Sequence, residues 1–280
     1  RIRRDAAKPG AIVSSGAVWT VSNSGLRRVA PARFRTYSVE EGLAGHSAYS
    51  IHQVRDGTLW VTARPGPGLS RITPEGRVEA VQHPSLARRI VETVLEARDG
   101  TLWMQTSRGP CTWADATGCT PVRALNGRRG RAIYEDRDGA LWVATDGMGF
   151  FRRLPAEAAG GAVPVGGSSS PAWTQFDDRH GLPDRAAVSR ITETRDGALW
   201  VATRTQGIAR FNGTRFETLG VADGLPIGNV REIVEANDGA LWLGTEGAGL
   251  VRLTVDLHPL RIRTLHRVRQ SDGLPSSSIH

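Results

Sequence analysis

The sequence predicts an all-β protein: a β-propeller of six to seven four-stranded blades, as part of a larger protein. Three observations predict this fold class. A tryptophan motif recurs along the 280 residues, an Asp-Gly turn precedes most of its copies, and the apolar runs are short. A period of about 42 residues with four short strands per unit is typical of propeller blades. We therefore expect one propeller over residues 1–280.

The repeat is marked by six tryptophans, each of which ends a turn-and-strand motif. They are Trp19, Trp60, Trp103, Trp142, Trp200 and Trp242. Five copies contain Asp-Gly, and the first has Ser15 in place of the aspartate. Residues 155–171 are rich in Gly, Ser and Ala, which indicates a flexible insertion. Residues 271–280 begin a partial next repeat, so the chain is expected to be a segment of a longer protein.

Each Asp-Gly turn follows a run of apolar, β-branched residues, which predicts the first strand of a blade. Asp and Gly both tolerate the positive φ of tight hairpin turns, so we expect these turns to be of that kind. The predicted first strands are 47–54, 90–96, 130–135, 188–194 and 230–236.

Composition argues against several classes of partner. The net charge is +8 and comes almost entirely from arginine, but the arginines are scattered rather than clustered in an arm or helix. We therefore predict no nucleic-acid partner. No apolar run approaches the roughly 18 residues of a membrane span, so contact with a membrane is expected only through segments outside this chain.

The sequence contains no recognisable catalytic motif, and its seven histidines lack the spacing of metal ligands. We predict no enzyme activity in this segment, no cofactor and no metal. His46 and His180 each lie beside the start of a repeat and are interpreted as loop residues. Two alternatives stay open: a propeller lyase or hydrolase similar to the streptogramin lyases, and a protein-interaction scaffold.

Two cysteines bracket a turn at residues 115–118, so Cys111 and Cys119 are predicted to lie opposite one another on paired strands and to form a disulfide. A disulfide fits an oxidising compartment. Trp113 and Trp173 fall outside the repeat and are predicted to be exposed aromatics. An arginine recurs at the end of the third strand and is predicted to form blade-edge salt bridges; the copies are Arg71, Arg152, Arg210 and Arg252.

The combined pattern is a Gly-Leu-Pro lead, an apolar strand, the run Glu-Asp-Arg-Asp-Gly-x-Leu-Trp-Val-x-Thr and a later Gly-Leu-x-Arg. It resembles the two-component regulator propeller repeat, with residues 133–145 as a close copy. The resemblance implies the periplasmic, or extracytoplasmic, sensor portion of a hybrid two-component, histidine kinase or diguanylate cyclase regulator. The membrane helix and the output domain would lie outside this chain.

A ligand is expected where loops from several blades meet, on the face that carries the start of each first strand and the loop between second and third strands. We predict a small polar ligand or oligosaccharide there, and a homodimer formed through the parent protein. The predicted ligand-binding residues are His46, Arg64, Arg108, Asp146, Arg185, Arg204, Gln206, Asn229 and Glu246.

Overall fold

The computed structural model describes residues 11–14, 17–22, 25–30, 33–64, 66, 68–125, 129–146, 149–155, 173–182, 187–226, 228–274 and 276–278. The predicted insertion lies outside these residues except for Pro155, and so do Ser15 and Arg185. The chain divides into two compact units, Arg1–Gly130 (unit 1) and Arg131–His280 (unit 2). The described part of the chain consists of strands, turns and short 3-10 segments, which confirms the all-β class. It contains no helix long and apolar enough to cross a membrane.

Unit 1 contains three four-stranded antiparallel sheets in which neighbouring strands follow one another along the chain. Sheet 1 is β1 (Ala11–Ser14), β2 (Ala17–Ser22), β3 (Gly25–Ala30) and β4 (Arg33–Tyr37). Sheet 2 is β5 (Ser47–Gln53), β6 (Leu59–Arg64), β7 (Gly68–Ile72) and β8 (Val78–Ala80). Sheet 3 is β9 (Val91–Glu96), β10 (Leu102–Thr106), β11 (Gly109–Ala114) and β12 (Gly118–Pro121).

Unit 2 also contains three four-stranded antiparallel sheets, and the first of their strands starts at the unit boundary. Sheet 4 is β13 (Gly130–Glu135), β14 (Leu141–Thr145), β15 (Gly149–Arg153) and β16 (Trp173–Phe176). Sheet 5 is β17 (Val188–Glu193), β18 (Leu199–Thr203), β19 (Ile208–Phe211) and β20 (Phe216–Leu219). Sheet 6 is β21 (Val230–Glu235), β22 (Leu241–Thr245), β23 (Leu250–Leu257) and β24 (Leu260–Val268). All five predicted first strands are confirmed to within one residue at each end.

The Asp-Gly turns differ from the predicted geometry. In sheet 2, the Gly57 amide donates to the Val54 carbonyl at 2.9 Å, and Gly57 has φ +88°. The aspartate does not adopt positive φ; its carboxylate instead accepts a hydrogen bond from the amide two residues later, at 2.7 Å between Asp56 Oδ1 and Thr58 N. Only the glycine therefore takes the left-handed conformation, as in a type I turn closed by a glycine bulge.

In sheets 2 to 6 the second strand is buried on both faces, which its side chains reach alternately. In sheet 5, Leu199 and Val201 pack in one cluster with Trp142 of sheet 4. On the opposite face, Trp200 and Ala202 pack in another cluster with apolar residues of sheet 6. Burying one tryptophan removes about 200 Å² from water and is worth up to about 5 kcal/mol. The Leu-Trp-Val-x-Thr run thus packs sheet 5 against both of its neighbours in unit 2.

Aromatic side chains fill the space between sheets 4 and 5. The Trp142 ring stacks on Phe150 of its own sheet at 5.1 Å between centroids, and meets Phe211 of sheet 5 edge-on at 5.0 Å. The Arg152 guanidinium lies over Trp142 at 5.2 Å. This recurrent arginine therefore covers the blade tryptophan, a contact worth about 0.5–1 kcal/mol near a surface.

The predicted salt bridges of the recurrent arginines are confirmed for two of the four. Arg71 pairs with Asp115 at 2.7 Å, and Arg252 pairs with Asp238. The same guanidinium of Arg71 lies over Trp60 at 5.4 Å.

The prediction that Trp113 is exposed is wrong, because its side chain is buried. Trp113 lies on β11, where the strand register turns its ring into the core between sheets 2 and 3. There it meets Trp60 edge-on at 6.3 Å, and its indole N–H donates to Asp115 at 2.9 Å. Trp173 is half-buried, with the Arg153 guanidinium 5.7 Å from its ring.

An arginine in the Asp-Gly turn of one sheet binds the following sheet. The backbone amide of Arg195 donates to Glu235 Oε2 at 2.8 Å, its Nε donates to the same oxygen at 3.2 Å, and its guanidinium also donates to the Ala236 carbonyl. Arg55 binds Glu96 and the Ala97 carbonyl in the same way. We call this repeated contact the arginine latch.

A threonine at the end of the second strand fastens the following loop. Thr106, Thr203 and Thr245 are buried, and each hydroxyl donates to a glycine carbonyl in the loop, at 2.6, 3.0 and 2.8 Å. Each also accepts a backbone hydrogen bond from that loop. The threonine of the repeat is therefore structural.

Short 3-10 turns lead into the repeats; they are Pro84–Leu86, Arg123–Leu125, Asp178–His180, Val221–Asp223 and Gln270–Asp272. In three of them the last residue accepts a hydrogen bond from the backbone amide preceding the turn, and a glycine with positive φ follows. His180 fills this position with its Nδ1, where Asp223 and Asp272 use a carboxylate. This contact explains His180 as a structural residue.

Cys111 and Cys119 are joined in a disulfide, with their Cα atoms 5.6 Å apart. The sequence predicted that the two cysteines lie directly opposite one another, but they do not. In the β11–β12 register Cys111 faces Pro121 and Cys119 faces Trp113, so the bridge runs diagonally across the pair. Both cysteines are buried in the core of sheets 2 and 3.

We predict that the double variant Cys111→Ala/Cys119→Ala loses about 2–3 kcal/mol of stability, because closing an eight-residue loop restricts the unfolded chain by about that amount. Urea unfolding of oxidised, reduced and variant protein measures it. Mass spectrometry of non-reduced protein provides the check on connectivity. Two free thiols in the oxidised protein would contradict the bridge.

Glu235→Gln is expected to lose about 1 kcal/mol, because it weakens a charge-assisted contact that is partly exposed on the arginine side. The matched control is Glu217→Gln on the outer strand of sheet 5, where the carboxylate has only an exposed partner, Asn212. Urea unfolding followed by tryptophan fluorescence compares the two. Equal losses would show that the arginine latch contributes nothing of its own.

Candidate functional site

In sheets 2, 3, 5 and 6 the loop after the second strand lies beside the start of the first strand. In sheet 2, for example, Ser47 at the start of β5 pairs with Arg64 at the end of β6. We call this side of a sheet its loop edge, and the opposite side, with the Asp-Gly turn, its turn edge. The loop edge carries most of the residues predicted to bind a ligand.

Two positions of the repeat place side chains at the loop edge. The first is eleven residues before the repeat tryptophan and holds Tyr49, Glu92, Arg131, Ser189 and Arg231. In sheets 2, 3, 5 and 6 the register shifts at this residue, which makes it the extra residue of a β-bulge. The second is four residues after the tryptophan and holds Arg64, Ser107, Asp146, Arg204 and Glu246. A bulge redirects a side chain out of the sheet, and bulges are common beside binding sites.

Unit 1 contains a cluster of charged residues built on these positions. Arg64 Nη2 lies 2.5 Å from Glu92 Oε2, and Arg129 pairs with the other carboxylate oxygen. The Glu92 side chain is only 3% exposed, whereas each arginine is 36% exposed. The Arg64 guanidinium also lies over the Tyr49 ring at 4.2 Å. One buried carboxylate thus holds two arginines in fixed positions with part of each in solvent.

Sheets 4 and 6 of unit 2 each pair opposite charges at the same two positions. Arg131 Nε lies 2.5 Å from Asp146 Oδ1 in sheet 4. In sheet 6, Arg231 pairs with Glu246, whose Oε2 also accepts from Asn229 Nδ2 at 2.9 Å. Two predicted ligand-binding residues, Asn229 and Glu246, are therefore in contact with each other.

Sheet 5 differs, because Ser189 occupies the bulge and uses its hydroxyl internally. Ser189 Oγ donates to the Val230 carbonyl of sheet 6 at 2.5 Å. At the loop, the backbone amides of Arg204 and Gln206 donate to Ala187 O and Thr203 Oγ1, both at 3.0 Å. The backbone of this loop is therefore fixed, with Arg204 half-buried and Gln206 exposed.

In unit 1, His46 and Arg108 are both exposed. The structure brings Arg64, Asp146, Asn229 and Glu246 into ion pairs or hydrogen bonds, whereas Arg185 is outside the described residues. Sequence reasoning missed the bulge residues and Arg129. The sequence did contain a signal for the bulge residues: the position eleven residues before the repeat tryptophan varies in chemistry, whereas most of the repeat is uniform.

The pKa of one carboxyl group, Glu232, is shifted near the loop edge of sheet 6. Burial raises the pKa of Glu232 above its ordinary value, while Arg190, 2.9 Å away, partly opposes the shift. Across the described part of the chain, no three His, Cys, Asp or Glu side chains are grouped to hold a metal ion.

The comparisons with known families agree with the resemblance seen in the repeat. The two-component regulator propeller family model matches residues 126–147 and 224–247. The comparison with curated proteins gave no match.

Solved structures show the fold. The extracellular domain of a hybrid two-component system from B. thetaiotaomicron is 16% identical with a TM-score of 0.75, and the match covers 97% of this chain and 35% of that one. Virginiamycin B lyase from Staphylococcus aureus is 18% identical with a TM-score of 0.69, over 94% of this chain and 84% of that one. PorZ of the type-IX secretion system of Porphyromonas gingivalis is 14% identical with a TM-score of 0.61, over 96% and 45%. This chain therefore spans about a third of the length of the B. thetaiotaomicron structure.

We predict that Glu92→Gln loses about 2 kcal/mol of stability, because it removes the buried charge between two arginines and leaves them to repel each other. The control is Glu79→Gln, whose half-buried carboxylate pairs with exposed Arg77 and more distantly with Arg71, and which should change stability by less than about 0.5 kcal/mol. Urea unfolding at pH 7 compares the two. A Glu92→Gln variant as stable as the control would contradict the described role.

Proposed function

We propose that this chain is the extracytoplasmic sensor propeller of a two-component-type signalling protein, and that its loop edges bind a polar ligand such as an oligosaccharide. The observation that carries the proposal is the contrast between the two edges. The turn edge repeats the same aspartate, glycine and arginine contacts, whereas the loop edge changes its chemistry from sheet to sheet. Polar side chains held on rigid sheets suit recognition of a specific ligand.

The structural neighbours support the sensor assignment. The similarity to the extracellular domain of a hybrid two-component system covers nearly the whole chain, and two repeats match the two-component regulator propeller model. The buried disulfide fits an extracytoplasmic location, where thiols are oxidised. The proposed signal is a change in the relation between two copies of the parent protein on ligand binding, which biases a membrane-anchored output outside this chain.

Two alternatives are kept as outcomes of the test. A lyase activity would require a catalytic histidine, and His46 is an exposed histidine at a loop edge. A protein-interaction scaffold would require a broad apolar surface. The exposed large apolar residues of the described part are Val39, Leu154, Val221 and Val234, which lie in four different segments. No specific observation favours either alternative over ligand sensing.

We expect Arg204→Ala to weaken binding of an oligosaccharide about fivefold, because removing one hydrogen-bonding contact costs about 1 kcal/mol. Asp196→Ala should leave affinity unchanged. Its carboxylate accepts from Ala198 N at 3.1 Å and Thr194 Oγ1 at 2.6 Å, so that its loss lowers stability by about 1 kcal/mol.

Isothermal titration calorimetry of wild type and both variants against a panel of neutral and acidic oligosaccharides measures affinity, and urea unfolding measures stability. Loss of binding in folded Asp196→Ala with no effect of Arg204→Ala would place the ligand at the turn edge. Turnover of a panel member would favour the lyase.

A further inference from the structure

The loop edge of unit 1 carries an excess of arginine. Five arginines lie there, in the segments that enter or leave the strands of sheets 2 and 3 or end the unit; they are Arg64, Arg88, Arg89, Arg108 and Arg129. Two of them, Arg64 and Arg129, contact the acidic residue Glu92. In unit 2, by contrast, Arg131 and Arg231 each pair with an acid of their own sheet.

Glu92 neutralises only part of this charge. Its two oxygens are taken by Arg64 and Arg129, and its side chain is almost completely buried. Within the described residues, no carboxylate lies within ion-pair distance of Arg88, Arg89 or Arg108. The cluster therefore keeps a net positive charge that an incoming anion would balance.

Arg89 and Arg108 both contact Thr106 at the loop edge of sheet 3, where the Arg108 backbone amide donates to Thr106 Oγ1 at 3.1 Å. Arg89 Nε donates to the Ser85 carbonyl at 3.0 Å, and its Nη1 lies 3.4 Å from Thr106 Oγ1, two residues before Arg108. Burial lowers the pKa of Arg89, and the charge on Arg108 lowers it further. Like charges at one edge repel each other, and an anion bound between them would offset that repulsion.

The backbone beside these arginines is strained. Arg88 has φ +62°, a conformation that side-chain-bearing residues rarely adopt, and it is the single such residue outside glycine in the described part of the chain. It lies where a His-Pro-Ser lead replaces the Gly-Leu-Pro of other repeats. Strain of this kind persists where the surrounding structure holds a site in shape.

We infer that the loop edge of unit 1 binds an anionic carbohydrate, one bearing carboxylate or sulfate groups, in preference to a neutral one. This inference rests on the proposed function and specifies its ligand class. Arg108 and Arg89 contact the anionic group, while Arg64 and Arg129 are positioned by Glu92 to contact the same ligand. Guanidinium groups suit this role because their planar donors match the oxygens of carboxylates and sulfates.

The experiment measures binding of the full chain to three tetrasaccharides by calorimetry: an oligogalacturonide with carboxylates, a carrageenan fragment with sulfates and a neutral galactan fragment. The acidic probes should bind at least about tenfold more tightly than the neutral one in low salt and weaken as ionic strength rises. Preference for one acidic probe identifies the anionic group.

The variant Arg108→Glu should weaken binding of the acidic probe by about tenfold or more. The control is Arg77→Glu, an exposed residue of unit 1 at the turn edge, which makes the same change in net charge and should bind within about twofold of wild type. Arg108→Gln serves if the charge reversal disturbs folding, which far-ultraviolet circular dichroism shows.

Three results overturn the inference in different ways. Equal binding of neutral and acidic probes rejects the anionic class but leaves the sensor proposal standing. Equal losses for Arg108→Glu and Arg77→Glu, or wild-type affinity in both Arg108 variants, reject this location. If none of the three probes binds, the inference is rejected, and the proposal of a carbohydrate sensor is weakened as well.

Discussion

The structure depends on a second strand that is buried on both faces. In an isolated sheet, the Leu-Val face and the Trp-Ala face of that strand would both meet water, so a single blade has no stable core of its own. Within each unit the neighbouring sheet supplies the missing cover, as Trp142 and Phe211 do between sheets 4 and 5. This requirement explains why the Leu-Trp-Val-x-Thr run varies so little along the chain, and why the arginine latch and the threonine contact hold the two ends of the strand.

The need to cover the second strand does not restrict which side chains occupy the loop edge. A side chain at the β-bulge leaves the plane of the sheet and takes no part in the apolar layers, so tyrosine, glutamate, serine and arginine all fit there. What constrains these residues is charge. Glu92 is tolerated inside the protein because two guanidiniums bind its oxygens, and unit 2 reaches balance through pairs within one sheet.

The strands were predictable from sequence because a β-branched run and an Asp-Gly turn are local signals, repeated five times in the same register. The site was predictable only in part. Its loops are visible in the sequence, but the partner of Arg64 is a bulge residue of the next sheet, twenty-eight positions away, and a register shift leaves no local mark. Trp113 misled for a related reason: its place outside the repeat suggested a loop, whereas strand register turned it into the core.

The arginine latch has a direction, since the arginine always belongs to the earlier sheet and the glutamate to the later one. Such a head-to-tail contact is not self-complementary and does not itself limit the number of sheets that it can join. Duplication of a repeat that carries both latch residues, such as sheet 5 with Glu193 and Arg195, would therefore insert a sheet whose arginine and glutamate both find partners. An insertion of a few residues within a repeat would instead break the register on both sides. Lineages carrying this repeat are thus expected to change length in steps of about 42 residues, while their ligands diverge through substitutions at the loop edge.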